Sequence, residues 1–362
     1  ILAFGLLVPY HVGMYYVTWD WHVKSPMASS ALEPFMILSA PWRLLLLFFI
    51  SGVATAYLKA KSNAGFIGKR SKQLFIPLLF GMLVIVPPQT YFEVVEQLPG
   101  GYHDGYLAFW WQYLSGSRAF CDAEDCLDVP TWNHLWFVAY LLVYTLFLPL
   151  ARWIPARIKA IHIGGIGVLI WPVIYLIIAR LLLLERFEST HGLVDDWYNH
   201  VQFLAIFIFG FSIASQRTFW DSLQRLRWLS AGIALLSATF LFVYFSIYTE
   251  SHPAPDALRI FQRCIWAMQQ WMVPATLMGF AYTHWRAESP LLKKLTPAIF
   301  PLYILHQTVI VVLAHNLQPL ALPAFIEGPL LIILTFALCW LAYLIIRRLR
   351  WVAPLFGLKP TI

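Results

Sequence analysis

Two histidines stand inside apolar runs, where a titratable ring is costly. His11 lies in Val8-Pro9-Tyr10-His11-Val12-Gly13-Met14, and His306 lies in Pro301-Leu302-Tyr303-Ile304-Leu305-His306-Gln307. Ionisable groups at membrane depth are functional candidates by default. An imidazole titrates near neutrality, so a positioned one takes a proton from a hydroxyl nucleophile and later returns it. A histidine hydrogen-bonded between helices is the competing, purely structural reading of each.

Polar and aromatic residues cluster just beyond the first run, in Trp19-Asp20-Trp21-His22-Val23-Lys24, and again in Trp132-Asn133-His134-Leu135-Trp136-Phe137. Aromatics at a membrane interface are ordinary anchors. Beside amides and imidazoles they also suit a sugar ring, so Trp19, His22, Glu93, Trp132, His134, Trp136 and His306 form the expected substrate-binding set. Asp20 either orients a histidine or hydrogen-bonds a hydroxyl, unless it is a solvated loop carboxylate. Arg43 opens the apolar run Leu44-Leu45-Leu46-Leu47-Phe48-Phe49-Ile50-Ser51-Gly52 and needs a partner, with Glu33, Glu93 and Asp20 as candidates. His11, Asp20 and Arg43 are therefore the catalytic candidates. Lys69, Arg70 and Lys72, followed by Gln73, fit a phosphate clamp, because guanidinium and ammonium groups pair strongly with phosphate oxygens. Ordinary positive-inside charge explains the same run equally well.

The elements that must position these groups are transmembrane helices. The 362 residues are 60% hydrophobic and only 12% charged, with a mean hydropathy of +0.68; soluble domains carry about twice that charged fraction. A spanning helix needs ~20 mostly apolar residues. About ten stretches qualify: 1–18, 42–58, 74–92, 134–151, 163–184, 201–215, 229–248, 263–283, 296–315 and 328–346. The fold expected is all-α, a single polytopic membrane domain over residues 1–362 with about ten transmembrane helices. Most of the 25 basic residues sort to one set of loops: Lys59, Lys61, Lys69, Arg70 and Lys72; Arg152, Arg157 and Lys159; Arg217, Arg225 and Arg227; Arg286, Lys293 and Lys294; Arg347, Arg348, Arg350 and Lys359. By the positive-inside rule that side is cytoplasmic, and both termini lie there. The net charge of +7 thus reflects topology, and no nucleic acid is implied. Because the chain opens at Ile1 inside an apolar run, its natural N-terminus is expected to precede it.

Cys121 and Cys126 bracket a polar loop and pair if it faces an oxidising compartment; otherwise they are free thiols. No Cys/His spacing suggests a metal.

With these residues in place, the chain resembles membrane-bound acyltransferase family 3, especially the branch related to glucan biosynthesis protein C. The likeness is carried by Tyr10-His11-Val12-Gly13-Met14 through Lys24, by Trp42-Arg43 through Gly52, by Ile76-Pro77 through Pro87-Pro88-Gln89, by His134-Leu135-Trp136-Phe137, and by Tyr303-Ile304-Leu305-His306-Gln307. The resemblance implies transfer of an acetyl or succinyl group from cytoplasmic acyl-CoA to a hydroxyl of a periplasmic or lipid-linked glycan, in a bacterial inner membrane among membrane lipids. Acyl-CoA would be a donor substrate, with no tightly bound cofactor. His11 takes the place of the family's first-helix histidine, whose basic partner eleven positions earlier would precede Ile1. The family's Arg-x-x-Arg pair falls on Arg70 and Gln73, so its second member is replaced, with Lys69 or Lys72 to compensate. The rival reading is a secondary transporter or flippase for a glycan or lipid-linked intermediate. Such a protein would show inverted repeats or matched interrupted helices, and neither is visible.

Overall fold

The computed structural model describes residues 1–61, 65–98, 100–118, 120–121, 126–149, 163–249, 251–285 and 289–359. Arg152, Arg157, Lys159 and Arg286, part of the expected cytoplasmic charge, lie outside them. The principal helices are α1 (Leu7–Tyr16), α2 (Ala40–Ala60), α3 (Phe66–Phe80), α4 (Pro87–Gln97), α5 (Tyr106–Leu114), α6 (Trp136–Phe147), α7 (Gly167–Leu183), α8 (Trp197–Ile213), α9 (Arg217–Ile247), α10 (Asp256–His284), α11 (Ile299–Leu317) and α12 (Ala324–Ile346). Among the described residues the only β pairing is two isolated bridges.

A helix falls on each expected apolar stretch, but among the described residues five are long and apolar enough to cross a membrane: Ser30–Ala60, Phe66–Gln97, Arg217–Ile247, Pro290–Leu320 and Ala324–Ile346. The others fall short for physical reasons. Helix α1 has ten residues, while Asn133–Phe147, Gly167–Leu183 and Trp197–Ile213 are short of 18. Helix α10 has the length, at 29 residues, yet carries Arg259, Gln262, Arg263, Gln269 and Gln270.

The chain divides into two compact units. Unit 1 comprises Ile1–Leu32, Arg70–Ala139 and Pro290–Ile362. Its core packs Val8, Val12, Tyr15 and Tyr16 of α1 against Ile310, Val311 and Ala314 of α11 and Leu331 of α12. Lys24 folds back to donate to the carbonyls of Met14 (3.0 Å), Val17 (3.1 Å) and Trp19, so a cation caps the C-terminal end of α1.

Between α3 and α4 the helix breaks. Residues Gly81–Ile85 form a π-turn, in which Val86 N–H bonds Gly81 O at 2.8 Å. Pro87 and Pro88 then supply no N–H at all. The carbonyls of Met82 and Leu83 therefore lose their helical donors, and Gln89 N–H bonds Val86 O at 2.8 Å in place of Ile85 O; such orphaned carbonyls are costly where no water reaches. Side chains replace those donors: Tyr113 Oη at Met82 O (2.9 Å), Trp110 Nε1 at Leu83 O (2.8 Å) and Thr308 Oγ1 at Ile85 O (2.7 Å). Two of the three come from α5, which packs through Phe109 and Tyr113 on Val94 and Phe120. Beside it, Cys121 and Cys126 form a disulfide.

Unit 2 comprises Glu33–Lys69 and Tyr140–Ser289. Its helices touch through glycine: a Cβ on Gly52 would lie 2.1 Å from Phe207 O, and one on Gly210 would lie 2.3 Å from Phe49 O. Small residues let α2 and α8 meet backbone to backbone, the contact that stabilises helix pairs in lipid.

Candidate active site in unit 1

Polar side chains that the sequence scatters over three hundred residues converge in unit 1. His11 Nδ1 of α1 lies 2.9 Å from His306 Nε2 of α11, with the rings 5.0 Å apart and stacked. On its far side, His306 Nδ1 lies 2.6 Å from the carbonyl of Tyr303, one turn earlier. A carbonyl only accepts, so His306 carries its proton on Nδ1 and offers a lone pair at Nε2. His11 must then donate through Nδ1. The lone pair of a neutral His11 is left on Nε2, the arrangement of an oriented general base.

The next residue along α11 serves a second histidine. Gln307 Nε2 donates to His22 Nε2 at 2.9 Å, and His22 Nδ1 donates to Glu93 Oε2 at 2.6 Å. Glu93 also borders a cavity of about 100 Å³ shared with Gln97, Phe120, Cys126 and Leu127. Consecutive residues of one helix thus hold two histidines: His306 holds His11, and Gln307 holds His22, whose other nitrogen is fixed by a carboxylate.

Gln89 ties the two systems together. It is fully buried at 0% exposure. Its amide donates to Thr308 Oγ1 (2.6 Å) and His134 Nδ1 (3.4 Å), and its oxygen accepts from Asn133 Nδ2 (3.2 Å) and Gln307 Nε2 (3.1 Å). Every donor and acceptor of the amide is used, as a group sealed from water requires. Asn133 reaches it from a left-handed backbone at φ 40°, a conformation asparagine tolerates well. His134 completes the set: its Nε2 donates to Ile304 O at 3.1 Å, its ring lies 5.2 Å from His306, and its own carbonyl accepts from the Tyr303 hydroxyl.

The fold of unit 1 brings His11, His22, Glu93, His134 and His306 into one polar cluster. Asp20 is exposed, and the carboxylate that holds a histidine here is Glu93. Trp136 is buried, while Trp19 and Trp132 are half-buried. Arg43 is buried in α2 of unit 2. Lys69, Lys72 and Gln73 are exposed along α3, and Arg70 beside them is half-buried with its Nε lacking a hydrogen-bond partner. Sequence reasoning assigned no role to Gln89, Asn133, Gln307 or Thr308. The signal was there in Gln89, a long polar side chain directly after Pro87-Pro88, and in Gln307 beside His306. Among the described residues, no three His, Cys, Asp or Glu side chains are grouped to hold a metal ion.

The family model for the acyltransferase domain matches residues 1–344. The chain belongs to acyltransferase family 3. No curated protein and no solved structure matches it. Membership in acyltransferase family 3 supports membrane acyl transfer as the reaction class. An imidazole with a fixed lone pair suits that class, since acyl transfer to a hydroxyl needs a base at the nucleophile.

Proposed function

We propose that the protein is a membrane O-acyltransferase of the glucan-modifying type, moving an acetyl or succinyl group from cytoplasmic acyl-CoA to a hydroxyl of a periplasmic glucan or lipid-linked glycan in a bacterial inner membrane. The observation that carries this reading is the chain Tyr303 O, His306, His11, which leaves a base at His11 Nε2. The donor's phosphates dock at Arg70, helped by Lys69 and Lys72; the unpartnered Arg70 Nε supplies a guanidinium edge for a phosphate oxygen. The thioester then has to reach about half the depth of a ~30 Å hydrocarbon core.

His11 Nε2 takes the acceptor hydroxyl's proton as that oxygen attacks the thioester carbon. The tetrahedral intermediate collapses with cleavage of the carbon–sulfur bond, and the leaving thiolate takes the proton back from His11 as coenzyme A thiol. His306 keeps the transient imidazolium oriented through its Nε2. The cavity beside Glu93 is the acceptor's approach, where His22 and Glu93 bind sugar hydroxyls. Glu93 replaces Asp20 as the carboxylate of this reading.

The test is turnover with purified protein, labelled acetyl- and succinyl-CoA, and a periplasmic glucan. Thioester consumption matched by label on the glucan is expected, with Arg70→Gln raising KM for the donor about tenfold, the loss of one charge-assisted contact. Absence of thioester turnover with either donor overturns the proposal.

A further inference from the structure

Unit 2 contains a directional chain of buried amides that ends on an unused acceptor. Asp196, at 0% exposure, accepts from Tyr140 Oη at 2.5 Å and from Asn199 Nδ2 at 2.9 Å. A carboxylate turns the Asn199 amide so that its oxygen faces Gln202 Nε2, at 2.7 Å. Gln202 in turn presents its oxygen to Gln270 Nε2, at 2.8 Å. Each amide orientation follows from the one before it. Gln270 Oε1, at the end, is buried and has no hydrogen-bond partner, in a residue only 4% exposed.

The same face of α10 carries an incompletely neutralised cation. Arg263, Trp266 and Gln270 repeat at helical spacing, and the Arg180 guanidinium of α7 lies 4.5 Å from the Trp266 ring. Arg180 is 9% exposed; its Nη1 donates to Tyr198 Oη at 2.9 Å, while its Nε has no partner. Tyr198 and Gln202 stand one turn apart on α8, as Trp266 and Gln270 do on α10, so Arg180 and the end of the amide chain lie one helical turn apart. The nearby acid is Glu185, bonded to Arg263 at 2.7 Å and with a side chain 61% exposed. Among the described residues no carboxylate forms an ion pair with Arg180. Aromatic faces offset part of the cost of burying a guanidinium. A buried guanidinium with no carboxylate partner, in a medium of low dielectric, calls for an anion.

We propose that unit 2 holds a binding site for an anionic polyol. Its phosphate or carboxylate sits at Arg180, accepting a hydrogen bond from the Nε–H, and a neighbouring hydroxyl donates to Gln270 Oε1. The ligand must carry both groups because the site offers an unused donor and an unused acceptor. Two sources share this chemistry, a free glycerol-phosphate-type solute and the headgroup of a glycerol-bearing phospholipid. The site uses no residue of the His11 cluster, so it stands or falls apart from acyl transfer.

Purified full-length protein in detergent is titrated with glycerol 3-phosphate, inorganic phosphate and glycerol, following thermal unfolding. In parallel, native mass spectrometry reads retention of phosphatidylglycerol against phosphatidylcholine. Saturable stabilisation by glycerol 3-phosphate supports the solute, and selective retention of phosphatidylglycerol supports the headgroup. Arg180→Gln lowers affinity at least tenfold. Gln270→Leu lowers it about fivefold for the polyol phosphate and leaves inorganic phosphate unchanged. If Arg180→Gln fails to fold, the Gln270→Leu selectivity and the wild-type titrations still decide. Failure of both sources to bind wild type, or equal binding of the polyol phosphate to wild type and Gln270→Leu, overturns the proposal.

Discussion

His306 stands between His11 and the backbone, with Nε2 2.9 Å from His11 Nδ1 and Nδ1 2.6 Å from Tyr303 O. That double contact sets the proton positions of both rings. It makes His306 a positioning residue for His11, much as a carboxylate orients a catalytic histidine elsewhere.

Removing His306 should therefore slow turnover without weakening donor binding. His306→Ala is expected to lower kcat for acyl transfer about a hundredfold, the low end of what general acid–base positioning contributes. KM for acyl-CoA should stay within about twofold, since an interaction made mainly in the transition state has been lost. Steady-state kinetics check this; a rise in KM with kcat intact would place His306 in donor binding instead.

Gln89 is a structural prediction. Gln89→Leu leaves His134 Nδ1, Asn133 Nδ2 and Gln307 Nε2 without their shared partner. Each buried group left unpaired costs about 1–3 kcal/mol. The variant should unfold several degrees lower in detergent, and Gln89→Glu should recover part of the loss by accepting from Asn133 and Gln307, while leaving His134 Nδ1 without a donor.

The amides also show how far the sequence could be read. Apolar runs and charge asymmetry locate the helices, because lipid demands long uncharged segments. His11 and His306 stand out because ionisable groups are rare at that depth. Their pairing, across 295 positions, has no local signature. Glu93 and Asp20 look equivalent as isolated carboxylates, and only tertiary packing places Glu93 against His22. Gln89 and Gln307 are single polar residues in apolar runs, and periodicity gives them no partner. The stretch 263–283 reads as an ordinary span, yet in α10 Gln269 and Gln270 face the interior, at 2% and 4% exposure.

The break between α3 and α4 gives a pH prediction. Burial pushes the Tyr113 phenol up from its ordinary value. Its neutral form accepts the Thr131 N–H at 2.9 Å and reaches Met82 O at 2.9 Å. A raised acid keeps its proton in the folded state after the unfolded chain has lost it. The contribution to stability is thus fully present below the unfolded value of about 10 and declines as pH rises above it. Thermal unfolding measured from pH 8 to pH 11 should show that decline in the wild type and a flatter profile in Tyr113→Phe.

The glycine contact of unit 2 should be intolerant of a single methyl. Gly52→Ala places a Cβ 2.1 Å from Phe207 O, and the obstacle is backbone, which has no rotamer to move. Overpacking costs about 1–3 kcal/mol, so the variant is expected to unfold earlier. Gly232→Ala, where a Cβ meets nothing within 4 Å, serves as the control and should unfold with the wild type.

The base at His11 is the centre of the account, and one comparison tests it directly: transfer of label from acyl-CoA to a glucan by wild type and by His11→Ala, purified in parallel and matched in unfolding temperature. Loss of the oriented base should reduce the rate by about 10²–10⁴ while donor binding persists. Near-normal transfer by His11→Ala would contradict the account, since the chain from Tyr303 through His306 would then orient a residue that the reaction does not use.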